Sequence, residues 1–125
     1  MTETKKTVLY VDDDQDFLDA LRAILESNGY EMLEARSAEE GIAVFKARSP
    51  DLVLVDMMME EVDSGANVVK EIRASGSSVP IYLVSSVGDD LALTADQQSL
   101  GFAGIFQKPV DRPALLRVLD AQARA

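Results

Sequence analysis

Short apolar runs alternate with amphipathic segments five times along this chain, and this alternation limits the fold more than any other feature. Apolar runs of about four to eight residues are typical of buried strands, whereas apolar residues three and four positions apart predict one face of a helix. The predicted strands are residues 7–11, 31–35, 52–55, 80–84 and 103–107. Strands that alternate with helices in this way predict a parallel sheet with helices packed on it.

Start and stop signals place helices between the strands. Asp14 precedes the first amphipathic stripe, and Asn28-Gly29 ends it. Ser37 with Glu40 forms a capping box, and Asp111 before Pro113 begins the last helix. A further helix is expected at residues 89–100, although its second half is polar. The residues expected on the inner helix faces are Phe17, Leu21, Ile24 and Leu25, then Ile42 and Phe45, then Val68, Val69 and Ile72, and finally Leu115, Leu116 and Leu119.

Together these elements predict an α/β fold of the (βα)5 type with five parallel strands. If the sheet is doubly wound in the order 2-1-3-4-5, the first and third strands lie side by side where the winding reverses. Runs 7–11, 52–55 and 80–84 are almost wholly apolar, as central strands covered on both faces require. Run 31–35 is more polar and predicts an edge strand. Residues 1–125 are expected to form one domain.

Composition narrows the classes of function. A net charge of -10 and a pI near 4.3 argue against direct binding to nucleic acids or to anionic membranes. The chain has no cysteine and no histidine, which excludes a disulfide framework and leaves only carboxylates for a zinc site. No apolar run approaches the roughly 20 residues of a membrane span. We expect a soluble, cytoplasmic protein.

Polar residues follow the strands at the points where the strands end. Asp12 and Asp13 follow the first strand, Asp56 the third, Ser85 the fourth, and Lys108 the fifth. The carboxyl ends of parallel strands meet at one crevice, where ligands bind. Two carboxylates about 4 Å apart repel by roughly 4 kcal/mol at an effective dielectric constant near 20, so three of them need a cation. Oxygen ligands with open positions suit Mg²⁺, and the Lys108 ammonium adds positive charge.

Such a site suits phosphoryl chemistry. Charges arranged around a metal can stabilise a phosphoryl group during its transfer, and a carboxylate can act as the nucleophile. Position divides the roles: Asp12 and Asp13 hold the metal, and Asp56 accepts the phosphoryl group. Ser85 and Lys108 contact the phosphoryl oxygens.

Each of these residues also has a simpler interpretation. The four aspartates within residues 12–16 are acids that favour the positive end of the first helix, with Asp14 as its cap. Asp56 taken alone is an acid that ends a strand, and Ser85 is a turn residue. Lys108-Pro109 is a common surface pair. The joint arrangement at the ends of neighbouring strands favours a site.

The chain resembles the receiver domain of two-component response regulators over its full length. The stretches that carry the resemblance are Val11-Asp12-Asp13, Val55-Asp56, residues 80–86 and Lys108-Pro109. The resemblance implies the flavodoxin-like receiver fold with the doubly wound strand order 2-1-3-4-5. A requirement for Mg²⁺ and the backbone carbonyl of Met58 as a further metal ligand are implied by the same resemblance. It also implies that Asp56 takes its phosphoryl group from a sensor histidine kinase, a phosphotransfer protein or a small acyl phosphate.

The resemblance further implies a signalling module and not a turnover enzyme, although the module catalyses its own phosphorylation and dephosphorylation. Its expected output is a contact with a downstream protein or an attached output domain. The expected contact surface comprises the helix at 89–100, the fifth strand and the last helix.

The chain departs from the family pattern in several places, of which two matter most. Glu60 stands where the family usually has proline, and Ile105 stands where most members have tyrosine or phenylalanine. In the family that aromatic ring rotates together with a movement of the residue at the Ser85 position. Ile105 has no ring, so this switch is expected to be absent or altered. We expect phosphorylation to pull Ser85 inward and to act through residues 86–90 and the helix that follows.

Three other functions stay open. A Mg²⁺-dependent phosphatase with an aspartate nucleophile usually needs a second acid where Met58 stands, and a cap insertion for which this chain has no room. A carrier of FMN needs a loop that donates hydrogen bonds to phosphate, whereas the acids at 12–16 repel it. A degenerate receiver binds partners without phosphorylation. Glu60 and Ile105 keep that option open.

Overall fold

The computed structural model describes residues 6–56, 64–85, 103–107 and 110–124. The helix predicted at 89–100 lies outside these residues. The elements in chain order are β1 (Thr7–Val11), α1 (Gln15–Glu26), β2 (Glu31–Ala35), α2 (Ala38–Arg48), β3 (Leu52–Asp56), α3 (Ser64–Ala74), β4 (Ile81–Ser85), β5 (Gly104–Gln107) and α4 (Arg112–Arg124).

The five strands form one parallel sheet in the order β2-β1-β3-β4-β5. The predicted fold class and strand order are therefore confirmed. The more polar strand β2 lies at an edge, as its composition predicted. Strand β3 has all five of its residues buried, which fits a central strand covered on both faces.

Helices cover both faces of the sheet and divide the core into two apolar layers. One layer joins α1 and α4 to the sheet through Leu21, Leu25, Leu115 and Leu119, which pack with strand residues such as Tyr10 and Leu54. The other joins α2 and α3 through Phe45, Val68, Val69 and Ile72, which pack with strand residues such as Leu9 and Val53. Among the described residues, no helix combines the length and the apolar character that crossing a membrane requires.

The buried face of α1 is rotated slightly from the predicted one. Leu18, Leu21 and Leu25 are buried, whereas Phe17 and Ile24 are only partly buried at the edge of the same cluster. Leu18 lies three and seven residues before the other two leucines, so it belongs to the same stripe. The prediction omitted Leu18 because the apolar stripe of α1 is wider than the part of the helix that contacts the sheet. Which residues of the stripe become buried depends on how the helix packs on the sheet.

Side chains cap the first two helices as predicted. The Asp14 carboxylate accepts a hydrogen bond from the backbone N–H of Asp16 at 3.0 Å. The Ser37 hydroxyl accepts one from the backbone N–H of Glu40 at 3.1 Å. The Glu40 carboxylate reaches back to the N–H of Arg36 at 3.3 Å, one residue earlier than in the standard capping box. These caps fix where each helix leaves the sheet edge that carries the acids.

Helix α2 approaches β1 closely because position 41 has no side chain. A Cβ atom on Gly41 would lie 2.8 Å from Cγ2 of Val11, which is closer than real Cβ contacts allow. Val11 is fully buried, and its β-branched side chain is stiff at χ1. Val11 directly precedes Asp12, so this contact also helps to fix the position of the Asp12 backbone relative to the core.

We expect Gly41→Ala to destabilise the protein although alanine is the better helix former. Overpacking a core costs about 1–3 kcal/mol, whereas the gain in helix propensity is about 1 kcal/mol. The net loss should be about 1 kcal/mol in the free energy of unfolding measured with urea. The reverse change at an exposed position of the same helix, Ala43→Gly, isolates the propensity effect. A gain in stability for Gly41→Ala would contradict the close packing.

Candidate functional site

The register of the sheet brings the acids to one edge. Val11 of β1 pairs with Val55 of β3, so Asp12 and Asp56 follow side by side. The ladder continues beyond β1, since the backbone N–H of Asp12 donates to the carbonyl oxygen of Ala35 at 3.0 Å. On the other side of β3, Asp56 pairs with Val84, which places Ser85 one residue further along the neighbouring strand.

Three carboxylates gather at this edge. Asp12, Asp13 and Asp56 each offer one oxygen atom, and these atoms all lie within 4.8 Å of one another. Asp12 and Asp56 are buried, with 0% and 1% of their surface exposed. Asp13 is partly exposed. Two unit charges at this separation repel by roughly 3 kcal/mol at an effective dielectric constant of 20. This repulsion favours a positive charge close to the three carboxylates.

The donor set fits a hard divalent cation. All three groups supply carboxylate oxygens, and the chain contains no cysteine or histidine that would favour a softer metal. Mg²⁺ prefers oxygen ligands and keeps several waters, so it is bound by a few carboxylates that leave positions open. The buried Asp12 and Asp56 and the partly exposed Asp13 meet that requirement.

Neighbouring groups hold both oxygens of the Asp12 carboxylate. The Tyr10 hydroxyl donates to Oδ2 at 2.5 Å, and the backbone N–H of Asp14 donates to Oδ1 at 2.9 Å. Burial, together with this bond to Asp12, raises the pKa of the Tyr10 phenol, so the hydroxyl stays protonated and acts as a donor. Tyr10 was not predicted as a site residue. A usable signal was present, because residues two apart on a strand point to the same face.

An open cleft of about 930 Å³ extends from Asp13 across the beginnings of α1 and α2. Its other lining residues are Asp14, Gln15, Asp16, Arg36, Ser37 and Glu40. Counting Asp13, four of the lining residues are acidic, and Arg36 brings one positive charge among them. The acidic edge thus opens to solvent on the side of Asp13.

The structure describes two of the remaining predicted site residues, Ser85 and Ile105, and does not describe the other two. Ser85 is buried at the end of β4, with 2% of its surface exposed. Ile105 is 46% exposed on β5 and lies beside Leu83 in the register. Lys108 and Met58 lie outside the described residues. The structure therefore brings Asp12, Asp13 and Asp56 together and places Ser85 on the adjacent strand end, while the chemical roles of all these residues stay predictions.

The sequence matches known proteins along most of its length. The family model of the response regulator receiver domain matches residues 8–120. The transcriptional regulatory protein GlrR of Escherichia coli K12 is 34% identical over 121 residues, which cover 96% of this chain and 27% of that protein. The transcriptional regulatory protein AfsQ1 of Streptomyces coelicolor is 32% identical over 119 residues, which cover 95% of this chain and 50% of that protein. The chain thus spans half or less of the length of these two relatives.

A solved structure supports the same assignment. The response regulator receiver protein of Pseudomonas putida has a TM-score of 0.82 and 29% sequence identity, and the match covers 96% of this chain and 99% of that one. The fold and the sequence therefore point to the same family.

We expect Asp13→Asn to stabilise the protein in the absence of divalent cations. Removing one charge relieves the repulsion among the three carboxylates, and solvent screening at the partly exposed Asp13 limits the gain to about 1 kcal/mol. Urea unfolding in the presence of a chelator measures this change. Added Mg²⁺ should stabilise the wild-type protein through binding to the native state, and it should stabilise the variant much less.

Asp16→Asn is the matched control for this prediction. Asp16 is an exposed acid in the first turn of α1 and is not part of the carboxylate cluster. Losing its charge near a helix N-terminus should cost about 0.3–1 kcal/mol, and Mg²⁺ should still stabilise the variant. Equal effects of the two substitutions would show that the three carboxylates do not act as a cluster.

Proposed function

Since the chain belongs to the response regulator receiver family, we propose that it accepts a phosphoryl group on Asp56 in a Mg²⁺-dependent reaction and signals through a phosphorylation-controlled protein contact. The observation that carries this proposal is the gathering of the Asp12, Asp13 and Asp56 carboxylates at the carboxyl edge of the sheet. The donor is a sensor histidine kinase or a phosphotransfer protein, and a small acyl phosphate can replace it.

The reaction is a transfer between two nucleophiles. A carboxylate oxygen of Asp56 forms a bond to phosphorus while the bond between phosphorus and the histidine nitrogen breaks, and that nitrogen keeps the electron pair. Bound Mg²⁺ would supply charge stabilisation for the phosphoryl oxygens. Asp56 lies at the end of β3 and is buried, so the frame of the sheet fixes its direction of attack. Such positioning supplies a large part of the rate in phosphoryl transfer.

The other residues have supporting roles in this proposal. Asp12 and Asp13 hold the metal together with Asp56, and the backbone carbonyl of Met58 completes the protein ligands. The Ser85 hydroxyl donates a hydrogen bond to a phosphoryl oxygen, and its position one residue beyond the partner of Asp56 supports this role. Lys108 forms an ion pair with another phosphoryl oxygen.

We propose that the protein acts as a cytoplasmic signalling domain over residues 1–125 and not as a turnover enzyme. It catalyses its own phosphorylation and the later hydrolysis of the acyl phosphate. The contact it controls is with a downstream protein or an attached output domain, through the helix predicted from the sequence at residues 89–100, β5 and α4. Ile105 has no ring to rotate, so the signal passes from Ser85 into residues 86–90 and that helix.

Mass spectrometry after treatment with acetyl phosphate and Mg²⁺ tests the acceptor. We expect one phosphoryl adduct on the wild-type protein and none on Asp56→Asn, because the amide is a much weaker nucleophile than the carboxylate. Omission of Mg²⁺ should also abolish the adduct. Asp51→Asn is the matched control, since Asp51 is an exposed acid at the opposite end of β3 and should leave the adduct unchanged.

Two results would contradict the proposal. An adduct that persists on Asp56→Asn would place the acceptor elsewhere. Sustained release of phosphate from small phosphomonoesters would favour the phosphatase, which turns over its substrate, whereas a receiver holds a single phosphoryl group.

We expect Ser85→Ala to separate phosphorylation from signal transmission. The variant should still form the adduct on Asp56, because alanine removes only one hydrogen bond to the phosphoryl group, worth about 1.5–3 kcal/mol when one partner is charged. Beryllofluoride binds as a mimic of the phosphoryl group and can be added in the presence of Mg²⁺. In the wild-type protein it should shift the amide resonances of residues 86–100, and these shifts should be lost in the variant. Shifts confined to the acidic edge of the wild-type protein would contradict this route.

A further inference from the structure

The Tyr10 hydroxyl is hydrogen-bonded to Asp12, one of the three clustered acids, inside the core. Tyr10 and Asp12 lie two residues apart, so their side chains point to the same face of the sheet. The hydroxyl donates to Oδ2 of Asp12 at 2.5 Å, and the two residues are only 1% and 0% exposed. Because water does not compete at this depth, the bond is stronger than the same pair would form at the surface.

The two bonds to Asp12 fix the plane of its carboxylate. Tyr10 holds Oδ2, and the backbone N–H of Asp14 holds Oδ1 at 2.9 Å. A carboxylate oxygen has two lone pairs, and each of these hydrogen bonds occupies only one of them. The two bonds thus orient the Asp12 carboxylate without blocking either oxygen completely.

The sheet and the core hold the Tyr10 side chain in place. Tyr10 pairs with Glu34 of β2 and with Leu54 of β3, so its backbone is fixed on both sides. Its ring belongs to the buried cluster beneath α1 and α4, with Leu18 among its members. A tyrosine held in this way cannot follow a carboxylate that turns away, so the carboxylate must keep its orientation to keep the bond.

We propose that Tyr10 is a positioning residue for the divalent cation and acts through Asp12. The proposal rests on the function proposed above, in which Asp12 is a metal ligand. Three carboxylates within 4.8 Å repel one another, and a free carboxylate would rotate to increase the separation. The neutral hydroxyl opposes that rotation and adds no charge of its own, so the site is already oriented when the cation arrives.

The test compares the affinity for Mn²⁺, measured by the electron paramagnetic resonance of the free ion, and for Mg²⁺, measured by calorimetry. Tyr10→Phe keeps the ring and removes only the hydroxyl. We expect it to weaken both affinities by about 10- to 100-fold, the usual effect of losing a group that orients a metal ligand. Tyr82→Phe is the matched control, because Tyr82 is a buried sheet tyrosine in the same apolar cluster, and it should leave both affinities unchanged.

A double-mutant cycle shows whether Tyr10 acts through Asp12. In an Asp12→Asn background, Tyr10→Phe should cause no further loss of affinity, because the group that it orients is no longer a carboxylate. A general effect on packing would weaken binding in both backgrounds and would overturn the proposal. Equal affinity of the wild-type protein and Tyr10→Phe would overturn it as well.

A second measurement uses only the wild-type sequence and so does not depend on the folding of a variant. With ¹³C at the hydroxyl-bearing ring carbon, the chain gives three tyrosine resonances. Titration with Mg²⁺ should shift the Tyr10 resonance and leave that of Tyr82 in place, and an unmoved Tyr10 resonance in the saturated protein would overturn the proposal. If the wild-type protein took up no divalent cation at all, the proposed function itself would fail, which is a different outcome.

Discussion

Mutual repulsion of the carboxylates at the carboxyl edge of the sheet is the constraint on which the rest of the structure depends. Asp12, Asp13 and Asp56 are brought within 4.8 Å by strand pairing, and two of them are buried. A pair at that separation costs roughly 3 kcal/mol, against a total stability of about 5–15 kcal/mol for an ordinary domain. The two apolar layers contribute the stability against which this repulsion acts.

The carboxylate repulsion acts against the stability of the core, which explains why large apolar residues precede each of the acids. The three inner strands are almost wholly apolar, so each acid follows a run that cannot leave the core without exposing large side chains. Gly41 brings α2 close to Val11, and the Asp14 cap holds the start of α1. These features pin the backbone on both sides of Asp12, which prevents the acids from relaxing by moving apart.

The same features explain which parts of the structure could be predicted from the sequence. Strand positions follow from the apolar runs, and the more polar run at residues 31–35 indicates an edge strand. The full strand order came from the family resemblance. The acids could be placed because parallel strands end at one edge. The centre of the apolar stripe on α1 could not be predicted, since Leu18 and Phe17 are both apolar and only packing on the sheet distinguishes them. Tyr10 was also missed, because a tyrosine in a strand is usually explained by packing alone, and the direction of its hydroxyl depends on three-dimensional geometry.

The bond from Tyr10 to Asp12 also matters for the charge of the site, which in the proposed function differs between the free and the phosphorylated protein. A phosphoryl group on Asp56 would bring about -1.5 to -2 charges at neutral pH, next to acids that already repel one another. A positively charged side chain bonded to Asp12 would relieve repulsion in the free protein but would compete with the cation for the same carboxylate. A neutral donor avoids that competition, because it orients the carboxylate and leaves the charge of the cluster unchanged. In the proposed function, positive charge would then come from the metal and from Lys108, so the acids would depend on a cation both before and after phosphorylation.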